Sequence, residues 1–181
     1  MRSEAMSAAM ALFAIGGCGG RTPGPDGQPL EKPVATAEMI DAGGAQIGVA
    51  TFASADTGAT LGLSVSGLPA GSHGLHVHEA GSCATPDFKS AGDHFNPGSK
   101  QHGLENPAGP HAGDLPNLRV EADGSADTSI TLDPALLGTG PRSILGSQGT
   151  ALVIHAAADD QRSDPSGESG DRIACGVIER T

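Results

Sequence analysis

Apolar and polar residues alternate along much of the chain beyond residue 34. The clearest example is the segment 60–66, T-L-G-L-S-V-S, in which leucine and valine occupy every second position. A period of two is typical of a β-strand with one buried face. Similar segments, and one short continuous apolar run, predict eight strands at 35–40, 46–53, 60–66, 74–79, 118–121, 128–132, 151–155 and 172–179.

The segments between the predicted strands contain turn residues and no helical pattern. Asp123 and Gly124, for example, form a turn of the hairpin type between two of the strands. Two segments, 80–115 and 156–171, are long and irregular, and long loops in a compact domain are usually functional. The sequence therefore predicts an all-β domain, an antiparallel sandwich or flattened barrel with two long functional loops.

Composition agrees with this fold and excludes one class of partner. The chain of 181 residues has 28 glycines and 13 prolines, which favours many turns over a helical bundle. Because aromatic residues make up only 2% of the chain, the core must consist of Val, Ile, Leu and Ala. The net charge of −11, with only three lysines, argues against a nucleic-acid partner.

The first 33 residues have the pattern of an export signal followed by a tether. A short apolar run after Arg2 ends in I-G-G-C at 15–18, which resembles a bacterial lipobox, where the signal is cleaved before a lipidated cysteine. We expect a signal peptide at 1–17, a lipid on Cys18, a Gly- and Pro-rich tether to residue 33 and a folded domain at 34–181. The alternative is an ordinary signal peptide that leaves Cys18 as a stray thiol.

Both alternatives predict export to the periplasm or cell envelope. No stretch of the sequence reaches the roughly 18 apolar residues that a membrane-spanning helix needs. Contact with a membrane is therefore expected only through the possible lipid anchor at Cys18.

The segment 94–114 concentrates metal-binding side chains in one predicted loop. His94, His102, His111 and Asp114 are interspersed with seven glycines and prolines, which break helix and strand periodicity. Something other than a backbone ladder must order this loop. Three imidazoles and a carboxylate form a complete tetrahedral shell for zinc, whose binding would offset the entropy cost of ordering. The alternative is a polar surface loop that happens to contain histidines.

A second group of histidines lies on predicted strands. His76 and His78 are two residues apart on the strand 74–79 and share one face, while the intervening apolar residues point into the core. His155, at the end of another strand, offers a third imidazole. Three imidazoles suit copper as well as zinc, and two solvent-facing histidines without a role remain an alternative. His73 falls on the core side and is expected to be buried and hydrogen-bonded rather than a ligand.

Four separated motifs resemble those of copper–zinc superoxide dismutases. They are H-G-L-H-V-H-E at 73–79, G-D-H-F-N-P at 92–97, H-A-G-D-L-P-N at 111–117 and R-I-A-C-G-V-I at 172–178. The likeness extends from about residue 34 to residue 178, and the short spacing from His78 to Cys83 is similar to that of bacterial members. The resemblance implies an eight-stranded Greek-key β-barrel. It also implies an enzyme that converts superoxide to oxygen and hydrogen peroxide by copper redox cycling with a structural zinc.

The resemblance also implies roles for individual residues. Copper would be bound by His76, His78, His94 and His155, and zinc by His94, His102, His111 and Asp114. His94 would bridge the two metals, and Asp159 would orient His76 and His102. Arg172 would receive the superoxide anion, so Arg172 and His94 are the expected catalytic residues. Cys83 and Cys175 would form a disulfide, which leaves Cys18 for the lipid.

Two other functions compete with the enzyme. One is a non-catalytic copper and zinc carrier on the same fold, which the loss of a copper ligand or of Arg172 would favour; neither is lost. The other is a β-sandwich adhesion module, which leaves the metal-binding positions unexplained. A homodimer is possible, but the segment between His78 and His94 departs from the common eukaryotic form. Because that region helps to build the dimer in some members of the family, the resemblance leaves the oligomeric state open.

Overall fold

The computed structural model describes residues 32–55 and 58–181. The expected signal peptide, and the tether as far as residue 31, lie outside the described residues. Strands make up nearly all the regular structure, and β1 begins two residues before the predicted domain boundary. The nine strands of the described ranges are β1 (Lys32–Asp41), β2 (Gln46–Ala55), β3 (Gly58–Val65), β4 (Gly71–His73), β5 (Leu75–His78), β6 (Leu118–Val120), β7 (Ala126–Leu132), β8 (Thr150–His155) and β9 (Arg172–Arg180).

The strands form one seven-stranded antiparallel sheet in the order β5-β8-β9-β1-β2-β3-β7, and a two-stranded sheet of β4 and β6. Several neighbours, such as β3 with β7 and β5 with β8, are far apart in sequence. The chain therefore crosses between the ends of the sheet and does not follow a simple meander. Together with the absence of any α-helix from the described residues, this order confirms the predicted all-β fold.

All eight predicted strands are present, and their ends differ from the prediction by up to three residues. The additional strand is β4, which spans only 3 residues in a segment rich in glycine. A strand this short cannot display the alternation on which the sequence prediction depends. It pairs with β6 and places His73 next to Leu118.

The core is mainly aliphatic, as the composition predicts, although Phe52 and Met39 are also fully buried in it. On β3, Leu61, Leu63 and Val65 are buried while the residues between them are half-buried or exposed, which is the alternation read from the sequence. Leu75 and Val77 of β5 belong to the same core. This cluster holds the strands that carry the candidate ligands in one rigid frame.

A third long connection, at 133–149, was not predicted as a separate loop. It contains the 3₁₀ helix Pro134–Leu136, which begins after Asp133, whose carboxylate accepts the N–H of Ala135 at 2.9 Å. Leu136 and Ile144 of this connection are buried in the main core, so the segment contributes to packing. No helix in the described residues is long and apolar enough to cross a membrane.

Cys83 and Cys175 form the predicted disulfide, with their Cα atoms 5.7 Å apart. Cys175 lies on β9 and Cys83 in the loop after β5, so the bond ties this loop to the sheet. Phe88 and Ala91 of the same loop are buried in a small second cluster with Cys175. The loop is thus held firmly beside the first residue of β9, Arg172.

Candidate metal centre

Two paired strands position the first three histidines. His76 and His78 lie on β5, and His155 is the last residue of β8, which pairs with β5. Leu75 and Val77 point into the core, as predicted, and all four residues of β5 are buried. The alternative of two solvent-facing histidines is therefore excluded.

The loop 94–114 packs along the free edge of β5. The N–H of Val77 donates to the carbonyl of Gly113 at 2.8 Å, and the carbonyl of Val77 accepts the N–H of Phe95 at 2.8 Å. An added Cβ at Gly113 would lie 2.3 Å from the Val77 carbonyl oxygen, so only glycine allows this approach. Both ends of the loop are thereby brought opposite the histidines of β5.

Four imidazoles form a first cluster. The ligand atoms of His76, His78, His94 and His155 lie within 4.8 Å of one another, and all four residues are buried. Nε2 of His78 lies 3.4 Å from Nε2 of His155, and the rings of His76 and His94 have centroids 4.0 Å apart. The structure thus brings together the four residues expected to bind copper.

A second cluster surrounds the carboxylate of Asp114. Its Oδ1 lies 3.1 Å from Nδ1 of His94, 3.0 Å from Nδ1 of His102 and 3.4 Å from Nδ1 of His111. Its Oδ2 accepts the N–H groups of Gly103 and His111, both at 2.9 Å, which fixes the carboxylate. Three Nδ1 atoms that converge on one oxygen provide the donors of a tetrahedral site. These are the four residues expected to bind zinc, and His94 belongs to both clusters.

Asp159 connects the two clusters, as expected. Its Oδ2 accepts from Nε2 of His76 at 2.7 Å and its Oδ1 from Nε2 of His102 at 3.0 Å. Asn117 fixes its backbone through two bonds of 2.8 Å, one donated by the Asn117 amide and one accepted by it. An added Cβ at Gly167 would lie 1.8 Å from Oδ1 of Asp159, so this loop can close over the carboxylate only with glycine there.

Backbone carbonyls orient two further rings. Nδ1 of His78 donates to the carbonyl of Gly92 at 2.9 Å, and Nδ1 of His155 donates to the carbonyl of Gly170 at 3.1 Å. A carbonyl oxygen can only accept, so each of these rings carries its proton on Nδ1. Their Nε2 atoms are then unprotonated and available to a metal.

Comparison with known proteins identifies the family. Residues 46–178 match the sequence profile described as copper/zinc superoxide dismutase. Superoxide dismutase [Cu-Zn] 2 of Aquifex aeolicus is 45% identical over 146 residues, which cover 80% of this chain and 85% of that protein. The copper–zinc superoxide dismutase of Caulobacter vibrioides is 43% identical over 148 residues, which cover 80% of this chain and 84% of that protein. The chain belongs to the copper/zinc superoxide dismutase family.

Solved structures agree with membership of the superoxide dismutase family. A SOD-like protein from Bacillus subtilis matches with a TM-score of 0.74 and 42% identity, over 80% of this chain and 97% of that one. The Cu/Zn superoxide dismutase from Brucella abortus matches with a TM-score of 0.64 and 30% identity, over 80% of this chain and 99% of that one. The expected Greek-key β-barrel of the superoxide dismutases is therefore confirmed.

The donor atoms of the two clusters fit the copper and zinc that the superoxide dismutase family implies. Nδ1 of His76, Nε2 of His94 and Nδ1 of His111 are buried and lack a hydrogen-bond partner among the described residues. Leaving a buried polar atom unpaired costs free energy, which a bound metal ion would recover. An all-imidazole set suits copper, and an imidazole set completed by a carboxylate suits zinc.

Burial keeps three of the copper-side rings neutral at pH 7. Burial lowers the pKa of His76 to about 4, of His155 to about 3 and of His78 to about 2. A neutral imidazole is the form that binds a metal ion, so these three rings are ready to bind without losing a proton.

The zinc side differs, because its rings share carboxylates. Burial alone would lower the pKa of His102, but hydrogen bonds to Asp114 and Asp159 outweigh it and raise this pKa to about 9. Burial would raise the pKa of Asp114, but bonds from His102 and His94 hold it well below its usual range. In the metal-free protein, His102 and Asp114 therefore form an ion pair that zinc must replace.

Arg172, the residue expected to receive the anion, is the first residue of β9. Its Nη1 donates to the carbonyl of Phe88 at 2.8 Å and its Nη2 to the carbonyl of Gly92 at 2.7 Å. Arg172 lines a cleft of about 540 Å³ together with His78, His94 and His155. A fixed positive charge thus faces the same opening as three of the copper-side rings.

His73 is a structural residue, which confirms the expectation from its position. Its Nδ1 lies 2.8 Å from the carbonyl oxygen of His155, and its Nε2 lies 2.8 Å from the carbonyl oxygen of Pro69. Both ring nitrogens are thus engaged by backbone, so His73 has none left for a metal. Its contact with the carbonyl of His155 helps to fix the main chain of that proposed copper ligand.

Several polar and charged residues of the cleft were missed at the sequence level, Glu79 and Asp93 among them. Lys100 and Asp164 line it beside Arg172. Lys100 is the one lysine inside the segment 94–114, which could have attracted attention in so acidic a chain. Asp164 gave no signal, because it stands among several acidic residues of the loop 156–171.

Proposed function

We propose that the chain performs the superoxide dismutation of its family at these two clusters. Copper is held by His76, His78, His94 and His155, and zinc by His94, His102, His111 and Asp114. The observation that carries this proposal is the set of three buried ring nitrogens without a hydrogen-bond partner, Nδ1 of His76, Nε2 of His94 and Nδ1 of His111. Arg172, held by the carbonyl of Gly92, lies beside the same cluster.

Copper, when bound, supplies one-electron redox chemistry, and zinc supplies a fixed charge that does not change its oxidation state. One superoxide is oxidised to oxygen, and a second takes up that electron and two protons to give hydrogen peroxide. Nε2 of His94 is the atom of this chain placed to hold one of those protons between the two half-reactions. Nδ1 of the same ring stays with the zinc ligands.

Arg172 acts on the substrate. Its guanidinium is held by two carbonyls and faces the cleft, so a small anion meets a positive charge that needs no reorganisation. The net charge of −11 opposes this attraction only weakly, because salt screens charges more than about 8–10 Å away. Within the cleft, Lys100 adds positive charge while Glu79, Asp93 and Asp164 oppose it. The proposal is that the fixed charge of Arg172 determines the last step of substrate approach.

Metal analysis of single-ligand variants tests the ligand sets. Wild type should bind about one copper and one zinc, the number that two complete shells allow. His155→Ala should lose copper and retain zinc, and His111→Ala should lose zinc with a smaller effect on copper. Equal loading of both variants and wild type would contradict the assignment. Full loading of wild type without consumption of superoxide would leave the carrier function.

The proposal includes a location in the cell envelope. The I-G-G-C segment at 15–18 supports lipidation of Cys18, and the disulfide between Cys83 and Cys175 is of the kind that persists in an oxidising compartment such as the periplasm. Cells should yield a lipidated form in the membrane fraction, and Cys18→Ser should release it or block processing. An unmodified Cys18 in the mature wild-type protein would remove this part of the proposal.

A homodimer is also part of the proposal, and it rests on the family resemblance alone. Sedimentation velocity of the metal-loaded protein distinguishes the two states. A sedimenting species of twice the chain mass would support the dimer, and a species of the chain mass at all concentrations would contradict it.

A further inference from the structure

All but one of the non-bridging rings proposed to bind metal have a hydrogen-bond acceptor at the nitrogen that faces away from the metal. Apart from the bridging His94, each ring must keep its proton on the nitrogen that does not bind the metal. Four of these nitrogens have an acceptor within 3.1 Å, those of His76, His78, His102 and His155. The fifth, Nε2 of His111, has a carboxylate oxygen of Asp164 at 3.8 Å.

We infer that Asp164 is a positioning residue for the zinc ligand His111. It holds the proton of this ring on Nε2, so that Nδ1 remains free for the metal. This inference rests on the proposed assignment of His111 to zinc.

The position of Asp164 is itself determined by the metal loop. Its Oδ1 accepts the backbone N–H of His102 at 2.7 Å, across 62 residues of sequence. The same oxygen faces Nε2 of His111. At 3.8 Å this contact is longer than a hydrogen bond, and the two groups would need to approach by about 0.6 Å or more to form one. One carboxylate oxygen of Asp164 thus contacts the backbone of one proposed zinc ligand and faces the ring of another.

His111 needs this partner because a second carboxylate competes for its proton. Nδ1 of the ring lies 3.4 Å from Oδ1 of Asp114, the oxygen on which the zinc ligands converge. As placed, this contact is not a hydrogen bond, but a neutral ring with its proton on Nδ1 would point that proton at Asp114 and could not bind zinc. Asp164, on the opposite side of the ring, favours the tautomer with the proton on Nε2. The balance between the two carboxylates therefore sets the fraction of protein in which Nδ1 of His111 is free for zinc.

The expected effect is moderate. Carboxylates that orient metal-binding histidines typically contribute about 10–100-fold to metal affinity. The Asp164 side chain is 49% exposed, so its effect should lie near the lower limit. Apparent affinity falls in proportion to the fraction of protein in the binding-competent form. We expect Asp164→Asn to weaken zinc binding about tenfold, because asparagine still accepts the His102 N–H but lacks the charge that holds the His111 proton.

The experiment measures zinc affinity and the tautomer of His111 in the metal-free full chain. Zinc is titrated against a chelator of known affinity, and ring ¹⁵N chemical shifts report which nitrogen carries the proton. Asp164→Asn should lower zinc affinity about tenfold and shift His111 towards the Nδ1 proton. Asp171→Asn is the matched control, because it removes the same charge from an exposed residue of the same loop. It should leave both readouts unchanged.

Two results would overturn the proposed role of Asp164. Zinc affinity within twofold of wild type in Asp164→Asn would overturn the inference. A fall in affinity with an unchanged His111 tautomer would also overturn it, because Asp164 would then act only through the loop. His111→Ala separates this inference from the proposed function. If His111→Ala keeps wild-type zinc affinity, the ligand assignment itself is wrong.

Discussion

Arg172 and His78 donate to the same acceptor, the carbonyl oxygen of Gly92, at 2.7 Å and 2.9 Å. One residue of the disulfide-bonded loop therefore sets the position of the guanidinium and the orientation of a copper-side ring. The guanidinium that attracts the substrate and the ring that binds the metal are therefore placed relative to each other by a single peptide group. Movement of this loop would disturb both.

The first prediction concerns Arg172. Arg172→Ala should retain both metals and lower kcat/KM about tenfold, or about 1.4 kcal/mol, because the cleft loses a positive charge that two carbonyls hold in place. Arg172→Lys should lose less, since the charge remains while the planar fork that bonds Phe88 and Gly92 does not. The measurement is superoxide consumption at several ionic strengths. Equal rates and equal salt slopes in wild type and Arg172→Ala, with copper verified in both, would rule out this role.

The second prediction concerns the disulfide. Cys83 and Cys175 are separated by 92 residues, and closing such a long loop should stabilise the fold by up to about 4–5 kcal/mol in the chain-entropy treatment. Urea unfolding of the metal-free full chain should show Cys83→Ser to be less stable than wild type. In the metal-loaded Cys83→Ser variant, kcat/KM should also be lower than in wild type, because the loop that holds Arg172 is no longer tied to the sheet. Cys18→Ser is the matched control and should leave the unfolding free energy unchanged.

Much of the fold was predictable from the sequence because its signals are local. The alternation of Leu61, Leu63 and Val65 on β3 depends on neighbouring residues alone. The positions of His76 and His78 on one face of β5 follow from the same period. The disulfide pairing was available only through the resemblance of the motifs. Spacing does not indicate which cysteines meet.

The contacts that escaped prediction are long-range or very short. Asn117 fixes Asp159 across 42 residues, and Asp164 reaches His102 across 62, so neither partnership leaves a trace in local pattern. The strand β4 is too short to alternate. The connection 133–149 is irregular in sequence, although Ile144 within it is buried in the core.

The third prediction concerns Asp159, which bonds one ring of each cluster. Asp159→Asn should weaken both copper and zinc binding, each by about 10–100-fold, because the rings of His76 and His102 lose a charged acceptor. The neighbouring exposed residue provides a matched control, and Asp160→Asn should leave both affinities close to wild type. A loss confined to one metal would show that Asp159 does not link the two sites.

The fourth prediction concerns the pH dependence of zinc binding, which depends on the protonation of His102. The pKa of His102 is raised to about 9, so this ring is charged at pH 7 in the metal-free protein and must lose its proton to bind zinc. Zinc affinity should therefore rise by up to about tenfold per pH unit from pH 7, and level off near pH 9. Zinc added to metal-free protein in weak buffer at pH 7 should release about one proton from this ring. Zinc uptake without proton release, and with flat affinity between pH 7 and 9, would show that His102 is neutral.

The most direct test of the central claim is the rate of superoxide consumption by full-length protein of known metal content. Protein with one copper and one zinc should consume superoxide with a second-order rate constant that approaches about 10⁸–10⁹ M⁻¹s⁻¹ at low salt, the range known for electrostatically steered encounters, of which superoxide dismutases are an example. The rate should fall as salt is added, and protein loaded with zinc alone should be inactive. Fully loaded protein that consumes superoxide no faster than the zinc-only form would contradict the account.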